Sequence, residues 1–114
     1  MLAKKFRLQL QNYTPDKKNS ALKLLHSSKS VFFSVKIFIN HLNYSRFGLV
    51  ISLKVSPSAV QRNKIKRIIF NNLRLSGEYL KPGRDIVIIV LPATNKLSKE
   101  ELEKEIKKIL GDKN

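Results

Sequence analysis

The sequence predicts an α+β fold: a single α/β sandwich, in the order α-β-β-α-β-α, with helices covering one face of one sheet. Three observations predict it. A chain of 114 residues suffices for one domain with one core. Segments rich in β-branched and aromatic residues are interleaved with segments of helical period. "DIVIIV", residues 85–90, is apolar almost throughout, as in a mid-sheet strand buried on both faces. Hydrophobic residues make up 42% of the chain, enough for a packed interior. No repeat, low-complexity tract or linker divides residues 1–114, so one domain is expected.

Each element has its own local reason. Residues 1–13 are basic and read as an arm or a short strand. "TPDKKNSALKLLHSS", residues 14–28, reads as a helix: Thr14 caps it, Pro15 suits its first turn, and Asp16 suits its positive end. "SVFFSVKIFINH", residues 30–41, has the composition of a strand. "LNYS" turns the chain, and "RFGLVISLKV", residues 46–55, is read as the second strand of a hairpin. Ser56 is taken as the cap of a second helix, with Pro57 at its first position and Gly77 beyond its end. Residues 84–92 form the apolar strand that Pro92 ends. Ser98 and Glu101 form a capping box for a last helix, whose apolar stripe is Leu102, Ile106, Ile109 and Leu110.

Composition excludes several classes of function. There is no Cys, hence no disulfide framework and no thiolate metal site. No apolar run reaches membrane-spanning length, and the first ten residues lack a signal-peptide pattern, so no membrane partner and a cytoplasmic location are expected. The acids are few, and His26 and His41 are isolated, so neither a metal-binding carboxylate cluster nor an acid–base pair is legible. The four Gly are scattered and form no phosphate loop.

Charge carries the functional signal. The net charge is +15, and twelve Lys and Arg but no acid lie between Asp16 and Glu78. Five of the eight acids fall at or after Glu100. A surface that keeps its centre cationic and moves its anions to one end points to a polyanionic partner. The densest stretch is "AVQRNKIKRII", residues 59–69. On a helix, Ile65, Ile68, Ile69 and Leu73 share the side expected on the sheet. Asn63, Arg67, Phe70 and Arg74 are expected to line the opposite side, flanked by Lys64 and Lys66. Crowded like charges cost stability unless something outside neutralises them. Phosphates suit Arg and Lys, Asn suits a sugar or base edge, and an exposed Phe70 would stack on a base.

The stretch from Arg46 to Arg74 resembles the central block of the bacterial ribonuclease P protein component family. Arg46 and Gly48, Ser52 and Lys54, Ala59 and Val60, and the run Arg62, Asn63, Lys64, Ile65, Lys66, Arg67 match the family pattern in order. "DIVIIVLP" and "LSKEELEKEIKKIL" resemble its later strand and last helix, so the likeness covers about residues 30 to 110. Lys64 and Phe70 stand where the family commonly has Arg, Leu53 where it commonly has Lys, and the N-terminal helix has Ala21 or Leu22 in the neighbourhood of a family Phe. The resemblance implies a ribosomal-protein-like fold with a left-handed βαβ crossover, against the general rule for such connections. It implies a protein that binds the catalytic ribonuclease P RNA and the 5′ leader of precursor tRNA. Cleavage belongs to that RNA with magnesium ions, and the protein holds no cofactor and is inactive alone. Arg62, Asn63, Lys64, Lys66, Arg67, Phe70, Arg74, Lys54 and Arg46 are the implied RNA-binding residues.

A second surface is the strand at residues 30–41. Val31, Phe33, Val35, Ile37 and Ile39 read as core, alternating with Phe32, Ser34, Lys36, Phe38 and Asn40. Two readings of the second set stand: a face that stacks and guides single-stranded RNA, or aromatics packed under the N-terminal helix. The resemblance places the leader in a cleft between this face and the basic helix, with Phe32, Ser34, Lys36 and Phe38 in it. The alternative function is a structural ribosomal-type RNA-binding protein. A DNA-binding helix-turn-helix is disfavoured, and no DNA partner is expected, because the basic helix follows a strand directly.

Overall fold

The computed structural model of the chain describes residues 4–7, 24–77 and 80–111. Four strands form one sheet: β1 (Leu24–Lys29), β2 (Phe33–Ile39), β3 (Arg46–Ile51) and β4 (Arg84–Val90). Among the described residues two helices accompany them, α1 (Ala59–Ser76) and α2 (Lys99–Gly111), with 3-10 turns at Lys4–Phe6 and Pro92–Lys96.

The strand order is β1-β2-β4-β3. β4 pairs antiparallel with β2 and parallel with β3, so β3-α1-β4 is a parallel βαβ unit. The expected hairpin between the second and third strands is therefore corrected: β4 lies between them. Its sequence explains why. Asp85 to Ile88 are buried on both faces, and a strand of that kind is stable only with a neighbour on each edge.

The helix expected at residues 14–28 is also corrected in part. Residues 24–28 belong to β1, paired antiparallel with β2, while residues 14–23 lie outside the described residues. Of the expected basic arm, residues 4–6 form a 3-10 turn and Arg7 makes a parallel bridge to Phe47, leaving residues 1–3 and 8–13 outside the described set.

Register sorts the sheet into two faces. Phe33, Val35 and Ile37 of β2, Ile86, Ile88 and Val90 of β4, and Phe47 of β3 share the face on which both helices pack. From the helices, Ile65, Ile69, Phe70, Leu73, Leu102 and Ile106 complete one apolar cluster. Ser34, Lys36 and Phe38 point the other way, beside Ile89, Val87 and Asp85. Val31, expected in the core, is exposed. The Ser30 hydroxyl accepts from the Phe32 and Phe33 N–H groups, and this tight turn leaves Val31 at its tip. Asn40, expected on the polar face, is buried instead.

The caps define the helices. The cap of α1 is Ser58, not Ser56: its hydroxyl accepts from the Gln61 N–H at 3.3 Å. Ser56 and Pro57 form a preceding turn, where the Ser56 hydroxyl accepts from the Ser58 N–H at 3.2 Å. Gly77 ends the helix at φ 72°, a left-handed conformation that a Cβ disfavours. At α2 the capping box closes reciprocally: Glu101 N–H donates to the Ser98 hydroxyl, and Ser98 N–H donates to the Glu101 carboxylate. That backbone hydrogen bond is the first cause holding the Glu101 carboxyl below its usual range. Among the described residues no helix is long and apolar enough to cross a membrane.

Candidate nucleic-acid interface

α1 carries the dense basic stretch, and its turns decide which cations reach solvent. At about 100° per residue, the buried residues Asn72, Ile65, Ile69, Leu73 and Phe70 span an arc of roughly 160°. The apolar arc is thus wider than the four aliphatics alone mark out. Phe70 lies at its margin, and its long flat side chain turns inward, leaving it 3% exposed within the core cluster. The expectation of an outward, base-stacking Phe70 is corrected: its ring is not available to RNA.

The predicted cations divide by position. Asn63, Lys64, Arg67 and Arg74 are exposed on the side away from the sheet. Arg62 and Lys66 are half-buried, within the angular range of the buried arc. Arg62 Nη1 donates to the Ser56 carbonyl at 2.8 Å, so part of its guanidinium braces the turn that leads into α1. The Lys66 ammonium sits 6.0 Å from the Phe70 ring centroid, at the outer limit of a cation–π contact. Arg74 Nη2 donates to Asn71 Oδ1 at 3.0 Å. Lys54 is exposed in the turn after β3, where its N–H donates to the Ser52 hydroxyl. Among the described residues the ion pairs are Arg46–Asp85 and Lys108–Glu105. The exposed α1 cations therefore have no carboxylate partner there, and their charge faces outward.

Arg46, expected at the RNA interface, has a structural partner within the fold. Its Nε donates to Asp85 Oδ1 at 2.9 Å and its Nη2 to Asp85 Oδ2 at 2.7 Å. The Asp85 hydrogen bonds raise the Arg46 pKa above its ordinary value, against the opposing effect of burial. Asn40 Nδ2 donates to the same carboxylate at 2.8 Å and to the Arg84 carbonyl at 3.0 Å. This buried group was missed in the sequence. The signal was an acid opening an otherwise apolar central strand, since a buried carboxylate needs partners.

The residues placed in a leader cleft do not all come together. Ser34, Lys36 and Phe38 are half-buried on the sheet face opposite α1. Across the edge of that face, Lys29 pairs with Ser34 and Ser27 with Lys36. Phe32 packs against the core, and its carbonyl accepts from the Leu91 N–H at 2.9 Å. α1 packs on the other side of the sheet, so a cleft between it and this face is not formed. The basic helix and the residues Ser34, Lys36 and Phe38 therefore lie on opposite sides of the sheet. Among the described residues no group of three or more His, Cys, Asp or Glu is placed to hold a metal ion.

Comparisons with known proteins agree with this architecture. A family model described as Ribonuclease P matches residues 17–114. The Ribonuclease P protein component of Aliivibrio salmonicida is 32% identical over 104 residues, covering 91% of this chain and 88% of the relative. That of Clostridium kluyveri is 32% identical over 100 residues, covering 82% and 88%. The solved RNase P protein of Staphylococcus aureus superposes with a TM-score of 0.71 at 26% identity, covering 78% of this chain and 81% of the other. The Thermotoga maritima RNase P protein shares the fold, with a TM-score of 0.69 at 24% identity over 91% and 94%. With a basic helix, a four-stranded mixed sheet and a family match across most of its length, this chain belongs to the ribonuclease P protein component family.

Proposed function

We propose that this chain is the RNA-binding subunit of a ribonuclease P holoenzyme. It holds the catalytic RNA on α1 and the 5′ leader of precursor tRNA on another surface, and cuts nothing alone. The observation that carries this reading is the exposed face of Asn63, Lys64, Arg67 and Arg74, whose cations have no carboxylate partner among the described residues. Phosphates neutralise such a face by releasing counterions. The half-buried Ser34, Lys36 and Phe38 on the other sheet face form the second surface, offering hydroxyl, ammonium and aromatic groups to a single strand. Because it lies opposite α1, one molecule can engage two RNA segments at once. Magnesium in this reading belongs to the RNA, and no step of the cleavage is assigned to a protein side chain.

Two results test it. Purified protein leaves precursor tRNA intact, and adding it to its cognate catalytic RNA restores leader removal at low magnesium. Cleavage by protein free of RNA would sink the reading. Second, Lys64→Ala and Arg67→Ala each weaken RNA binding and reduce the log–log salt slope by about 0.7 to 0.9. Both keep the wild-type melting temperature, because both side chains are exposed. Unchanged slopes would remove α1 from the interface.

A further inference from the structure

Between α1 and α2 runs a groove of about 330 Å³, lined by Arg67, Ile68 and Asn71 from α1 and by Lys99 and Glu103 from α2. It opens beside the exposed cationic face, since Arg67 belongs to both. Its size lies at the lower end for a site that holds a small ligand. Ile68, half-buried against the core, gives it an apolar patch. Asn71 Oδ1 accepts from Arg74, which leaves the amide N–H groups as the end that can donate to a ligand. Glu103 shares the groove with two cations, yet among the described residues it is ion-paired with neither Arg67 nor Lys99. Two cations and a carboxylate thus line one space without closing on one another.

We propose that this groove holds a single unstacked nucleotide of the RNA bound on α1, with a base that carries an exocyclic amino group. The proposal rests on the RNA-binding reading of α1. The base lies on Ile68, its amino group donates to Glu103, and the flanking phosphates meet Arg67 and Lys99. A pure phosphate track would be opposed by Glu103, and an acidic peptide would be opposed in the same way. A carboxylate is suited to the amino group of cytosine, and unstacked RNA bases are commonly read along such edges. Uracil lacks that group and presents an oxygen instead.

Full-length protein titrated with pentacytidylate and with pentauridylate at one salt concentration tests the proposal. The wild type prefers pentacytidylate by about tenfold, as expected for a hydrogen bond to a charged acceptor. Both pentamers shift the amide signals of Ile68 and Asn71. Glu103→Gln collapses the preference, because an amide donates to uracil as readily as it accepts from cytosine. Lys99→Ala weakens both pentamers equally. No preference in the wild type, no shift at Ile68 and Asn71, or a preference that survives Glu103→Gln overturns the nucleotide site. So does an equal gain for both pentamers in Glu103→Gln, which would make Glu103 a mere obstacle on a phosphate path. Displacement of pentacytidylate from the groove by an oligoglutamate peptide that holds the same Ile68 and Asn71 signals also overturns it. These failures leave the wider reading standing if the catalytic RNA still binds with its Lys64- and Arg67-dependent salt slope. Loss of that binding in the wild type overturns the wider reading itself.

Discussion

Phe70→Ala lowers the stability of the protein by about 3–5 kcal/mol and leaves the RNA affinity of the folded molecule unchanged. The ring is 3% exposed and packs in the same cluster as Ile65, Ile69 and Leu73. Truncation removes its transfer free energy and leaves a cavity that the rigid sheet fills poorly. A domain of this size has a total stability of about 5–15 kcal/mol, so the loss is a large share of it. The melting temperature falls by roughly 10–20 °C. Phe70→Leu keeps most of the apolar volume and costs less than half as much. Thermal melts combined with RNA titrations well below the melting point check both variants. A stable Phe70→Ala protein that binds RNA several-fold more weakly would put the ring back on the outer face.

Phe70 also shows what a sequence makes legible and where it stops. The period of α1, its glycine end and the outward course of Lys64, Arg67 and Arg74 are local properties and could be read directly. The width of the buried arc is not local. It depends on how closely the helix seats on the sheet, and Phe70 stands at the margin where that decides. β1 failed for a related reason. Leu24 and Leu25 continue a helical pattern, and the exposed residues His26 to Lys29 show no alternation to oppose it. Only pairing with β2 makes the segment a strand. The pairing of β2 and β3 was assigned by proximity in the chain, although the double-sided burial of β4 already required two neighbours for it. The groove residues Asn71, Lys99 and Glu103 had no signal at all, because they come from two helices more than twenty positions apart.

The second large effect is expected at the start of β3 and β4. Arg46→Ala costs about 3–5 kcal/mol, because it leaves a carboxylate that is 3% exposed without its cation. Asn40 keeps its single hydrogen bond to Asp85 Oδ1, which falls short of replacing a bidentate guanidinium. Asp85→Ala costs less, about 2–3 kcal/mol, for a geometric reason: the Arg46 side chain is 34% exposed and can turn its charge to water. Asn40 then loses one partner but keeps the Arg84 and Tyr44 carbonyls. The double variant is expected to cost about 0.5–3 kcal/mol less than the sum of the singles, since each single already breaks the same pair. Urea denaturation of the four proteins gives that coupling. The RNA readout separates this role from phosphate binding. At a temperature where it is folded, Arg46→Ala keeps the wild-type salt slope, while Lys64→Ala and Arg67→Ala do not. An Arg46→Ala protein of normal stability and reduced slope would return Arg46 to the RNA interface. It would also leave the burial of Asp85 without its explanation.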